Sequence, residues 1–265
     1  MGVGGLVAWA VGMFRPTAPK GKGVFVRSLI GDTPTPASMV QRVRDLDLDW
    51  VALIGESKSG QVLTHYPERL PAYVDALKSA GIQVWLWGWP FPVDVDTFAD
   101  ELGTLARDLG VAGIIVNAEK PFYHPRHADA ARRLMTQLKK KSGGRAVGLS
   151  SYGGGPPWHP RFPWAAFAET SDFGMPQIYD SHHKLPREYP RMSMESWKRA
   201  GFKNLGPTWG ASNRHSPEQM ADIAARTPIT DGAASWWTFD HALKSNARSG
   251  FIRAYPLPKD EELVA

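Results

Sequence analysis

Hydrophobic residues along this chain fall into two alternating patterns. Short runs of aliphatic and aromatic residues recur at 24–30 (VFVRSLI), 50–56 (WVALIGE), 82–89 (IQVWLWGW), 112–119 (AGIIVNAE), 146–152 (AVGLSSY), 173–179 (FGMPQIY), 204–210 (NLGPTWG) and 232–239 (GAASWWTF). Each has the length and bounding residues of a buried strand. Between them apolar residues return at helical spacing, as in Val95, Phe98, Leu102, Leu105, Ala106 and Leu109, and in Ala131, Leu134, Met135 and Leu138. Thr35-Pro36 and Ser216-Pro217 read as an N-cap followed by proline at the first helical position, with Gln219 completing a capping box. Gly81, Gly110, Gly143 and Gly201 stand where helices should stop, directly before strands.

The strand starts are about 30 residues apart, the length of a βαβ unit. Eight such units in 265 residues predict a single α/β domain folded as a (β/α)8 barrel. The barrel is expected over 24–250, after an apolar extension at 1–23 and before a charged tail at 251–265. In such barrels chemistry is built where strands end and loops begin. All eight histidines fall there or at the start of the next helix: His65, His124, His127, His159, His182, His183, His215 and His241. So do Glu56, Glu119, Asp180 and Asp240.

Composition narrows the chemistry. There is no cysteine, which excludes disulfides, thiol nucleophiles and Cys-ligated zinc. No His-x-His follows the first strand, and His124-Pro-Arg-His127 lacks the glutamate of a zincin helix, so neither a catalytic metal nor another cofactor is expected. A net charge of +5 leans towards an anionic surface but, without a recognition motif, not towards nucleic acid. The chain has 11 tryptophans, where average composition gives roughly three or four. Indole faces stack on sugar rings while polar groups take the hydroxyls, so the surplus points to carbohydrate. The N-terminal stretch is uncharged from Gly2 to Phe14, shorter than the roughly 20 residues of a membrane span. It lacks the basic n-region and small-residue cleavage site of a standard secretory signal, so none is expected. It is expected to cap the barrel or to meet a protein partner or a membrane through residues 1–20, with an atypical export signal as the alternative.

The stretch AGIIVNAEKPF (112–122) is the natural centre of such a barrel. Residues i and i+2 of a strand share a face, so Asn117 and Glu119 point together from a strand's C-terminal end. A solvated glutamate ending a strand is the bland reading. Glycoside hydrolysis is the sharper one: it needs a carboxylic acid to protonate the glycosidic oxygen and a group to stabilise the oxocarbenium-like carbon. Among indoles, a glutamate could have its pKa raised far enough for that task. The second carboxylate of the familiar retaining arrangement would lie on the seventh strand, where NLGPTWGAS offers none. That absence points to a substrate that supplies its own nucleophile.

AGIIVNAE resembles the fourth-strand pattern D-G-x-D-x-D-x-E of the chitinase-like glycoside hydrolases of family 18. Gly113 and Glu119 match, while Ala112, Ile115 and Asn117 replace the three aspartates. The Asn-x-Glu ending is similar to the endo-β-N-acetylglucosaminidases of family 85, and family 25 lysozymes share the barrel with an Asp-x-Glu. The resemblance implies that Glu119 is the acid/base and that Asn117 orients the sugar's 2-acetamido group, whose oxygen attacks the anomeric carbon. FGMPQIYD resembles the family 18 Met-x-x-Tyr-Asp segment, with one residue more between Met175 and Tyr179, which implies that Tyr179 contacts the acetamido group and sets Asp180 with the catalytic residues. Trp236 resembles the eighth-strand tryptophan that floors the sugar subsite. Trp237, which faces the opposite way, is the alternative.

The remaining binding candidates are Trp89, Gln177, Trp209, Glu56 and Tyr152. The loop from Tyr152 to Trp158 is expected to line a groove. Arg27, read as mid-strand, is expected to pair with Glu56, and the basic run along the fourth helix is read as a solvated face. The chain is thus expected to be a glycosidase of N-acetylhexosamine polymers, preferably peptidoglycan, acting at a bacterial wall or extracellularly as a phage or bacterial lysin would. A barrel that binds glycan without cleaving it, within a larger assembly, is the alternative.

Overall fold

The computed structural model describes residues 17–29, 35–55, 68–179, 186–211 and 215–257. Eight parallel strands close on themselves: β1 (Gly21–Val26), β2 (Trp50–Ile54), β3 (Gln83–Gly88), β4 (Gly113–Asn117), β5 (Ala146–Tyr152), β6 (Phe173–Ile178), β7 (Thr208–Gly210) and β8 (Ala233–Trp237). Each pairs with the next, and β8 returns to β1. The outer layer holds α1 (Pro36–Asp45), α2 (Leu70–Ser79), α3 (Val95–Asp108), α4 (Ala128–Lys141), α5 (Trp164–Thr170), α6 (Tyr189–Arg199) and α7 (Pro217–Ala225). Two closing helices follow, α8 (Phe239–Leu243) and α9 (Asn246–Ala254). The eight-fold barrel read from the hydrophobic pattern is the architecture found.

Local chemistry explains most boundaries. The Thr35 side chain accepts from Ser38 N, and Ser216 and Gln219 form a reciprocal capping box on α7. Gly81, Gly110, Gly143 and Gly201 take positive φ after α2, α3, α4 and α6, a backbone that side chains disfavour. At β1 the structure departs from the expected segment. The strand begins at Gly21, before position 24, and ends at Val26, so Arg27 is exposed just beyond it rather than mid-strand. Glu56, its expected partner, lies outside the described residues. The closing helix α9 runs across position 250.

Strand parity sorts side chains into two cores. Outward-facing residues such as Val24, Val26, Leu53, Leu86, Ile114, Val116 and Leu149 pack against the helices. Inward-facing Phe25, Trp50, Ala52, Trp85, Trp87, Ile115, Phe173 and Met175 fill the barrel. The large rings fit because small residues face them. A Cβ on Gly23 would lie 1.9 Å from Trp50, on Gly113 2.4 Å from Trp85, and on Gly148 2.2 Å from Phe173. The tryptophan surplus is mostly a packing device: Trp50, Trp85, Trp87, Trp164, Trp197, Trp209 and Trp236, seven of the eleven, are buried, so these seven give no sign of carbohydrate. Among the described residues, no helix is long and apolar enough to cross a membrane.

Candidate active site

Three neighbouring strands bring polar side chains to the C-terminal mouth of the barrel. Asn117 ends β4, Ser150 lies near the end of β5, and Gln177 near the end of β6. Register places Asn117 beside Ser150 and Tyr152 beside Gln177, so these residues share the inner face. They are 4%, 2% and 8% exposed respectively for Asn117, Ser150 and Gln177. Polar groups that deep need partners, and the Gln177 amide supplies them. Its Nε2 donates to Asn117 Oδ1 at 2.7 Å, to Glu119 Oε1 at 3.1 Å and to Ser150 Oγ at 3.3 Å. Two protons are shared among three acceptors. With Oδ1 committed to Gln177, the amide hydrogens are what Asn117 retains for a ligand.

Glu119 lies two residues past β4 and is half-buried, with Lys120-Pro121-Phe122 folding into a single 3-10 turn behind it. Its carbonyl accepts from Phe122 N at 2.9 Å, which anchors the residue where proline stops the strand. The Glu119 carboxylate acts on two phenols. Tyr179 is held well above the ordinary tyrosine range by burial and then by the Glu119 charge. Tyr152 is raised by burial, by Glu119 and by Tyr123. Both phenols stay protonated at any working pH, so they remain hydrogen-bond donors beside a carboxylate.

Aromatic rings wall this polar centre. Tyr152 stacks on His159 with ring centroids 4.1 Å apart and 17° between planes, and meets Tyr123 edge-on at 5.9 Å. Trp237, half-buried, meets Trp87 at 5.2 Å and Phe25 at 5.4 Å inside the barrel. Trp89 is half-buried just past β3.

Several expected positions change. Trp236 is 0% exposed and packs on Trp209 and Tyr255, outside the strands. It cannot floor a sugar subsite; of the two adjacent indoles, Trp237 is the one facing the interior. Trp209 likewise faces the helices, and its Nε1 donates to Thr227 Oγ1 at 3.1 Å beyond the end of α7, so it is a packing residue and not a platform. The loop after Tyr152 is held closely: a Cβ on Gly153 would lie 2.3 Å from Gln177 O and one on Gly155 2.3 Å from Ser196 Oγ. It leaves Trp158 exposed against Tyr189. Asp180 and Glu56 lie outside the described residues. Ser150 and Tyr123 are not among the sequence candidates, and His159 figures there only as one of the eight histidines at the mouth. Parity along β5, which aligns Ser150 with Tyr152, could have found the first. The other two stand in loops, where parity gives no signal.

No known family profile matches the chain, and no curated protein matches it. Solved structures do. The spore cortex-lytic enzyme SleL of Bacillus cereus superposes with a TM-score of 0.62 at 11% identity, covering 89% of this chain and 75% of that one. A family 18 chitinase of Cycas revoluta, solved with (GlcNAc)3, gives 0.61 at 11% identity over 88% of this chain and 98% of that one. A family 2 β-galacturonidase of Eisenbergiella tayi gives 0.57 at 13% identity, over 90% of this chain and 52% of that one. At such identities the likeness is one of fold: this chain has the barrel that family 18 chitinases and spore cortex-lytic enzymes share.

Proposed function

We propose that the protein is a glycoside hydrolase of N-acetylhexosamine polymers, with peptidoglycan as the preferred substrate and Glu119 as the acid/base. One observation carries the reading: Glu119 and Asn117 leave the same strand end, tied through Gln177, inside an aromatic-walled mouth. The protonated Glu119 carboxyl gives its proton to the glycosidic oxygen as the C1–O bond breaks. The acetamido oxygen of the same sugar, steered by the Asn117 amide and the Tyr179 hydroxyl, forms a bond to C1. Water then opens that ring, giving one proton back to Glu119. Trp237 offers the ring on which the sugar rests. That a cortex-lytic enzyme and a chitinase share the barrel supports the substrate class.

Glu119→Gln tests it. The variant is expected to lose roughly 10²–10⁴-fold of the rate of reducing-end release while still binding polymer. Wild-type protein that binds glycan yet releases no ends at any pH would instead make this a non-catalytic glycan-binding barrel. Ile115 and Asn117 in place of acidic residues are the observation on that side.

A further inference from the structure

Strand β7 ends in Gly210, and the imidazole of His215 stands where a side chain at that position would be. Gly210 is in register with Trp237, whose ring lies in the barrel interior against Phe25 and Trp87. Residue 210 therefore faces the same interior. A Cβ built on Gly210 would come within 2.4 Å of His215 Cε1 and 2.8 Å of each ring nitrogen. The bare backbone at 210 is what lets the ring lie there. Below it the inner face is already closed, since Thr208 Oγ1 and Ser235 Oγ pair at 2.9 Å. His215 is thus at mouth level, beside the half-buried Trp237.

The chain on either side of His215 is held. Ala211 N donates to Trp237 O at 2.6 Å, tying the end of β7 to β8. Directly after His215, the capping box of α7 fixes the chain: Ser216 N donates to Gln219 Oε1 at 2.9 Å and Gln219 N to Ser216 Oγ at 3.2 Å. His215 is buried, 6% exposed. A sugar site needs a few placed polar groups around an apolar face, and β7 brings none of its own there.

We propose that His215 is a substrate-contacting, specificity-determining residue that hydrogen-bonds the sugar resting on Trp237, so that β7 contributes through a folded-back ring rather than through a strand residue. This assignment rests on the glycan reading of the site. A packing role needs only the volume of the ring, whereas contact with sugar needs its nitrogens, and that difference makes the two separable.

The test is calorimetric binding of (GlcNAc)3 and of soluble peptidoglycan-strand fragments to full-length protein carrying Glu119→Gln, which prevents turnover. Adding His215→Phe should weaken binding of the accepted probe roughly 10–100-fold, the effect of leaving a buried polar partner unmatched. His215→Gln should recover most of the loss, and both should melt near the parent temperature. Gly210→Ala, which displaces the ring without altering it, should weaken binding as His215→Phe does. A His215→Phe variant that binds as tightly as its parent overturns the assignment and leaves the glycan reading standing. So does one whose lost affinity glutamine does not recover. A parent, and a wild type, that bind neither probe overturn the glycan reading and this assignment with it.

Discussion

Among the described residues, Glu119 is coupled to Gln177, Tyr152 and Tyr179 in different ways. Gln177 donates to it directly, while the phenols of Tyr152 and Tyr179 are kept protonated partly by its field. Asn117 is steered by the same glutamine. The alternation of strand residues already placed Asn117 with Glu119, and Gln177 with Tyr179, on common faces. That one amide would tie β4 to β6 was not legible, because it depends on the register between strands far apart in sequence. The sequence puts His159 at the mouth with the other histidines but does not show its stacking on Tyr152, which it reaches from a loop. Burial lowers the His159 pKa below its ordinary 6.5, so between that value and the lower folded one the unfolded chain binds the proton and the folded protein does not. His127 is shifted in the same direction, by burial first and then by Arg126 and His124. Stability from these groups is complete above about pH 6.5 and declines as pH falls through their folded pKa values. Melting temperatures measured from pH 8 to pH 5 should show that decline, and His159→Phe should flatten part of it.

Single-residue parity decides what each strand can do. Trp236 and Trp237 are chemically identical and adjacent in sequence, yet one is sealed against Trp209 and Tyr255 while the other looks into the barrel. The sequence shows that they must face opposite ways. Which faces inward follows from pairing of β8 with β1 and β7. Truncation should separate the two roles. Trp236→Ala, emptying a fully buried site, should cost about 3–5 kcal/mol of stability. Trp237→Ala should cost less on denaturant unfolding but should weaken (GlcNAc)3 binding by about tenfold, a loss typical of a ligand-facing aromatic. Equal losses of stability with unchanged binding would remove Trp237 from the site. The start of β1 shows the converse limit. Gly21-Lys22-Gly23 has poor strand propensity, yet pairing with β8 and the room Gly23 leaves for Trp50 make it a strand. Tertiary fit overrides the local preference there.

At the scale of the whole molecule, periodicity alone was enough to read the barrel, because eight repeats of one unit leave little choice of closed architecture. Charge was less informative than it looked. On α4 the basic run is drawn into pairs with neighbouring helices and loops: Arg133 with Asp96, Lys141 with Asp100, Arg132 with Glu169 and Lys139 with Asp172. The surplus positive charge is therefore not concentrated on that helix, and on the proposed reading attraction to an anionic wall would be a diffuse effect that salt should screen. What the barrel does concentrate is its polar machinery, at one mouth, on β4, β5 and β6. The central claim is that this machinery cleaves with help from the sugar's own acetamido group, two displacements at one carbon that return the anomer to its starting configuration. The most direct test is the proton NMR spectrum of the reducing end released in the first turnovers, before mutarotation, from a β-linked N-acetylhexosamine polymer. The account predicts the β anomer; an α anomer as the first product would contradict it.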